Sequence, residues 1–202
     1  MDHAHTSGAV GVAAYDTTLR DGAQQQSVSF TVEDKLAVAR LLDALGVAYI
    51  EAGWPGAIPK DTELFSRVRD DLDLRTARLV AFGSTCRPGA AAADDPQVRA
   101  LIDSGAPVIT IVAKSDPVHV ERALRTTREE NLRMVRETVG VLLAAGREVM
   151  VDLEHYFDGL GHDPGYGLQV ALTAARAGAG AVIACDTNGG TLPDRVGRGI
   201  GE

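Results

Sequence analysis

Short apolar, β-branched runs recur about every 34 residues along this chain, and a segment with helical period fills each gap. The runs are 9–15, 47–52, 77–83, 107–113, 148–153 and 181–185. Strands that are nearly all apolar, alternating with helices, predict a parallel sheet covered on both faces. A closed (β/α)8 barrel at that pitch takes roughly 270 residues, whereas 202 residues hold about six βα units. The predicted fold class is α/β: a (β/α)8 TIM barrel truncated after about six βα units. A six-stranded doubly wound sheet is the competing architecture. No G-x-G-x-x-G follows the first run, which weakens its dinucleotide-binding form.

The helical segments carry their own punctuation. Val38, Leu41, Leu42 and Leu45 stand at i, i+3, i+4, i+7 and predict one apolar helix face. Thr31 with Asp34 resembles a capping box at its start, and Gly46 stops it. Leu132, Val135, Val139 and Leu142 mark a second helix closed by Gly146. Asp163-Pro164 opens a third, ended by Gly178.

Charge and composition remove several classes of function. A net charge of −8 with no basic run makes a poor ligand for nucleic acid or an anionic membrane. No apolar stretch is long enough to span a bilayer, and Met1–Gly8 lacks the regions of a signal peptide. Two cysteines, Cys86 and Cys185, form no disulfide framework and fit a reducing cytoplasm. Both thiols are expected to be packing groups rather than nucleophiles.

Polar residues collect just past the C-terminal end of every predicted strand. They are Asp16-Thr17-Thr18-Leu19-Arg20-Asp21-Gly22-Ala23-Gln24, then Glu51 and Gly53-Trp54-Pro55-Gly56, Ser84-Thr85, Lys114-Ser115-Asp116, Glu154-His155 and Asp186-Thr187-Asn188-Gly189-Gly190. In a parallel barrel these ends share one face, where the active sites of that fold lie. A carboxylate beside a guanidinium, as in Arg20-Asp21-Gly22, suits a divalent metal next to developing negative charge; a plain ion pair or turn is the bland alternative. His155 lies one residue from Glu154, an offset that turns it to the outer face of a strand. His3-Ala4-His5 has ligand spacing but sits near a terminus. Asp70-Asp71-Leu72-Asp73 reads as solvated surface.

The stretch Asp16–Gln24 is specific as a whole, and narrower marks accompany it. They are Glu51-Ala52-Gly53-Trp54-Pro55-Gly56 with Pro59-Lys60-Asp61, Ala123–Thr127 before Glu130-Asn131-Leu132, Leu153–Gly159, and Cys185–Pro193. On these residues the chain resembles the citramalate synthase branch of the 2-isopropylmalate and homocitrate synthase family, which shares its barrel with 3-hydroxy-3-methylglutaryl-CoA lyase. The resemblance runs from about Tyr15 to Val196. Ala57-Ile58 and Asp116-Pro117 depart from the branch pattern.

The resemblance implies an acyltransferase of isoleucine and leucine biosynthesis that condenses acetyl-CoA with pyruvate and hydrolyses the thioester to citramalate. A 2-isopropylmalate or homocitrate synthase using another 2-oxo acid is the neighbouring reading. Matched to the family motif, Arg20 stabilises charge and Glu154 serves proton transfer. Gln24, Thr187 and Glu51 belong to substrate binding, with Glu51 equally readable as a strand-end ion pair. Asp21 takes the place of a ligand to a divalent metal (Mn²⁺, Mg²⁺, Zn²⁺ or Co²⁺). Acetyl-CoA is the co-substrate, and a cytoplasmic homodimer without nucleic-acid or membrane partners is implied.

In that family a His-x-His pair beyond Gly190 completes the metal site, and none follows here. Residues 1–8 are therefore expected as a disordered N-terminus and 9–196 as a partial catalytic barrel. Residues 197–202 are expected as an irregular tail, because each Gly inside a helix costs about 1 kcal/mol relative to Ala. The chain by itself is expected to be an inactive remnant of such an enzyme.

Overall fold

A computed structural model describes residues 12–201. The expectations for residues 1–8, for His3-Ala4-His5 and for the start of the first strand lie outside these residues. Six parallel strands form one sheet in the order β1-β2-β3-β4-β5-β6. They are β1 (Tyr15–Asp16), β2 (Tyr49–Gly53), β3 (Arg78–Ser84), β4 (Val108–Lys114), β5 (Glu148–Glu154) and β6 (Ala181–Ala184). Sequential order with every crossover in the same sense curls the sheet into part of a barrel. A doubly wound sheet would reverse its strand order and is excluded.

Eight helices alternate with or follow the strands among the described residues: α1 (Val32–Leu45), α2 (Pro59–Asp71), α3 (Pro96–Asp103), α4 (Pro117–Arg122), α5 (Arg128–Ala144), α6 (Tyr156–His162), α7 (Pro164–Ala177) and α8 (Pro193–Gly201). The main core lies between helices and sheet, where Ile109, Ile111, Val149, Val151 and Leu153 of the strands meet Val135, Val139, Leu142 and Val170. The opposite faces of the strands point inward. There Val80, Val108 and Met150 form a small second cluster with Tyr15, Tyr49, Ala181 and Ile183 around it. Below it Arg78 pairs with Glu148. Strand parity thus decides which residues reach the barrel interior.

The expected helix caps are present. Thr31 and Asp34 form a complete capping box, with Asp34 N–H donating to Thr31 Oγ1 at 3.1 Å, and Gly46 ends α1 at φ 88°. Asp163 caps α7 through Gly165 N–H. The buried face of α1 differs from the expected one. Val32, Lys35, Leu36, Ala39 and Asp43 are buried, whereas Leu41 and Leu45 are 70% and 79% exposed. Two polar residues draw that face inward. Asp43 accepts three backbone N–H groups from Arg75, Thr76 and Ala77, and Lys35 reaches Asp61 and the Ala52 carbonyl.

The tail is helical and not irregular as expected. Pro193–Gly201 is a helix that runs through Gly197, Gly199 and Gly201. Packing overrides propensity here: a Cβ at Gly199 would meet Leu160 at 2.8 Å and Phe157 at 3.3 Å. The missing side chain lets α8 lie against α6, and Pro193 and an Asp194–Arg198 pair support its first turns. No helix among the described residues is long and apolar enough to cross a membrane.

Candidate functional site

The C-terminal ends of the strands open onto a cavity of about 640 Å³ lined by Arg20, Asp21, Gln24, Asp152, Glu154 and Thr187 among others. A groove of similar size between α2 and α3, at the other end of the strands, is mainly apolar and carries no comparable set of acids and bases. Five of the six sequence-predicted site residues line the mouth cavity directly. Glu51, the sixth, is 0% exposed and lies behind Arg20.

Arg20 is held on three sides. Its Nε donates to Glu51 Oε1 at 2.6 Å, Nη1 donates to Asp21 Oδ1 at 3.2 Å, and the guanidinium sits 3.8 Å above the Phe82 ring. Trp54 packs edge-on against that ring at 5.1 Å. Glu51 Oε2 accepts from Tyr15 Oη at 2.6 Å, and Tyr15 in turn meets Thr110 Oγ1 at 2.7 Å. The chain Thr110–Tyr15–Glu51–Arg20 crosses from β4 through β1 and β2 to the mouth. Burial pushes the Glu51 carboxyl up, and the neighbouring Arg20 charge works against that. Burial and the Glu51 charge raise the Tyr15 phenol, so it stays a donor.

Asp61 explains the glycine at 53. Its carboxylate accepts from Trp54 N–H at 2.8 Å, and a Cβ on Gly53 would stand 2.4 Å from its Cγ. Gly53 therefore lets α2 approach the end of β2 and fix Trp54, and through it Phe82 and Arg20.

Across the mouth, Lys114 of β4 pairs with Glu154 of β5, residues that face each other in the sheet register. Asn131 holds the Lys114 carbonyl at 2.8 Å. Thr187 Oγ1 accepts from His155 N–H at 2.9 Å, which leaves its own proton to donate. Asp152 lies two residues below Glu154 on the same inward face. Its carboxyl is pushed up to about 7 by burial, then by the Glu51 charge, with Glu154 adding to the rise and Arg20 opposing it. Cys185 is pushed up to about 12 by burial and by Asp152, Glu154 and Glu51, so it remains a neutral thiol.

His155 does not line the mouth cavity. The strand stops at Glu154, and His155 turns left-handed at φ 58°. Its side chain is 12% exposed, bonded to Asp158 at 2.9 Å and stacked on His119 at 4.0 Å.

The Asp21 side chain is 65% exposed, and among the described residues it bonds only to Arg20. Among the described residues no group of three His, Cys, Asp or Glu side chains is placed to hold a metal ion. These residues do not amount to a metal centre.

Trp54 and Lys114 stand in the sequence only as members of the strand-end clusters, with no role given, and Tyr15, Phe82, Thr110 and Asp152 are not singled out there. Phe82, Lys114 and Asp152 were within reach, since each stands at even spacing from another inward residue of its strand.

The HMGL-like family model matches residues 11–202. The (R)-citramalate synthase of Streptomyces coelicolor is 60% identical over 182 residues, covering 90% of this chain and 34% of that relative. The (R)-citramalate synthase of Aquifex aeolicus is 50% identical over 185 residues, 92% of this chain and 35% of its own length. The chain spans about a third of the length of these curated relatives. Among solved structures, the Bacillus subtilis HMG-CoA lyase superposes with a TM-score of 0.77 at 15% identity, over 94% of this chain and 63% of that one.

Proposed function

Because the chain belongs to the HMGL-like family, we propose that its mouth cavity is the acyl-transfer site of a citramalate synthase, condensing acetyl-CoA with pyruvate. One observation carries the reading: a guanidinium clamped by Glu51 and Phe82 shares a cavity with Glu154, Asp152 and the Thr187 hydroxyl. The Streptomyces relative, at 60% identity, supports the choice of reaction.

The acyl methyl loses a proton to Glu154, and the resulting carbanion attacks the keto carbon. The C=O electron pair moves onto oxygen, where Arg20 meets the new charge with its Nη2 hydrogens, which have no partner among the described residues. A fixed guanidinium needs no reorganisation as charge develops. Thr187 donates to the 2-oxo acid, and Gln24 borders the same pocket. The alkoxide takes up a proton, which balances the one Glu154 removed, and water then cleaves the thioester, its oxygen going to the acyl carbon and a proton to the sulfur, giving citramalate and the CoA thiol. A divalent metal would supply Lewis-acid polarisation of the keto group. Among the described residues Asp21 is the one candidate ligand at the mouth. A cytoplasmic homodimer belongs to this reading, and two free thiols accord with a reducing compartment.

The incomplete donor set favours one second reading, that the 202-residue chain alone turns over below about 1 s⁻¹. A chimera separates chemistry from completeness. Residues 15–196 placed in the Streptomyces relative should release CoA from acetyl-CoA in a pyruvate-dependent manner, faster than with 2-oxoisovalerate or 2-oxoglutarate. Release that ignores pyruvate overturns the proposal.

A further inference from the structure

Among the described residues, Asp152 is the one acid at the mouth without a side-chain partner. Its sequence neighbours Val151 and Leu153 are buried against the helices, so the Asp152 side chain faces the cavity that it lines. On either side in the sheet its register partners are Val112 of β4 and Ile183 of β6. Neither offers a side-chain donor. The cations that line the cavity are already engaged, Arg20 with Glu51 and Asp21, and Lys114 with Glu154. The inward face of β5 thus presents a carboxyl with unused hydrogen-bonding capacity, directly below the proton-transfer glutamate.

We propose that Asp152 meets the bound 2-oxo acid as a protonated carboxyl and donates a hydrogen bond to one of its oxygens, so that binding of the anion takes up a proton. This rests on the acyl-transfer reading above, and it adds a contact and a proton balance to it. A carboxylate here would repel the incoming anion, whereas a carboxyl attracts it. The charged and titratable groups that act on Asp152 or line the cavity with it are Tyr15 of β1, Arg20 and Asp21 after β1, Glu51 of β2, Lys114 of β4, Glu154 of β5, and Cys185 and Asp186 after β6. Burial and the Glu51 and Glu154 charges already bring the carboxyl up to about 7. One more negative charge in the cavity raises it further. The environment of a second carboxylate on the same strand differs: Glu154 has Lys114 beside it. Two acids held differently in one cavity suit opposite duties in proton transfer.

The test uses the 202-residue chain, ¹³C-labelled, with pyruvate as the probe. Pyruvate is already an anion across pH 5–9, so any coupling comes from the protein. The Asp152 carboxyl carbon, identified by its loss in Asp152→Asn, is titrated with and without pyruvate while mouth amides report binding. The expected result is a rise of about one pH unit in the Asp152 midpoint. The pyruvate Kd should correspondingly weaken about tenfold from pH 6 to pH 9. In Asp152→Asn the amides still respond to pyruvate, but the pH dependence falls below about twofold. Asp152→Glu, which keeps a titrating group, restores it. A residue with only a structural role would not move this pH profile. If Arg20 and Thr187 amides respond while the Asp152 midpoint stays put, or if Asp152→Asn keeps the tenfold change, the proton-uptake proposal is overturned and the acyl-transfer reading stands. If no mouth residue responds to pyruvate, both fall.

Discussion

The two halves of the mouth differ in how fully the protein uses its own hydrogen-bonding groups. On the β1–β2 side, Thr110, Tyr15, Glu51 and Arg20 are wired end to end, and Phe82 and Trp54 brace the guanidinium. On the β5–β6 side, Asp152 has no partner among the described residues, the Thr187 proton is free to donate, and Lys114 with Glu154 is a single ion pair near solvent. The first half is a fixed charge whose orientation is settled before any ligand arrives. The second keeps its donors and acceptors for the ligand. Preorganisation on one side and unused capacity on the other is what a site that stabilises developing charge requires.

Removing the wiring gives the largest expected effect. Glu51→Ala leaves Arg20 and the Tyr15 hydroxyl without their buried partner, and breaking a buried pair from one side costs about 3–5 kcal/mol. Urea unfolding measures it; a loss under about 1 kcal/mol would mean the wiring is ornamental. Next comes Arg20→Lys in the chimera. An ammonium can neither reproduce the fork nor stack on Phe82, so kcat should drop about 100-fold or more with little change in KM. A kcat within about twofold of the parent, roughly 0.4 kcal/mol, would remove Arg20 from the charge-stabilising role.

On the open side, Asp152→Asn should stabilise the protein, and only at high pH. The native carboxyl keeps its proton up to about 7, whereas the unfolded chain releases it near pH 4. The native state therefore binds more protons between those values, and its stability falls as pH rises through that window. Thermal unfolding should show a gain on the order of 2 kcal/mol at pH 8 and none at pH 4. Equal gains at both would sever the effect from titration. Thr187→Val, which removes the acceptor of the His155 N–H, should cost about 1 kcal/mol, the smallest change of the set.

Much of this architecture is legible in the sequence because parallel strands buried on both faces must be apolar and must end in polar turns. The spacing of the six runs gives the sheet, and the offset after each run gives Arg20, Asp21, Gln24, Glu154 and Thr187 at one end. The braces are not legible in the same way. Tyr15 reaches Thr110 across 95 residues, and Trp54 owes its place to Asp61 and a side-chain-free position at 53. Such contacts depend on curvature that no local pattern encodes. Leu41 and Leu45 misled because a helix face is chosen by what it meets; Asp43 and Lys35 had long-range partners that the apolar count ignored. The glycine-rich α8 misled for the same reason, since the cost per glycine is local and the fit against Phe157 and Leu160 is not.

A crystal structure of the chain grown near pH 6 with pyruvate would test the division of the mouth most directly. The keto acid should lie between Arg20, Asp152 and Thr187, with the Arg20 Nε–Glu51 bond still near 2.6 Å and one substrate oxygen within hydrogen-bonding distance of the Asp152 carboxyl. Pyruvate seated in the groove between α2 and α3, or an Arg20 that swings off Glu51 to reach it, would contradict the account.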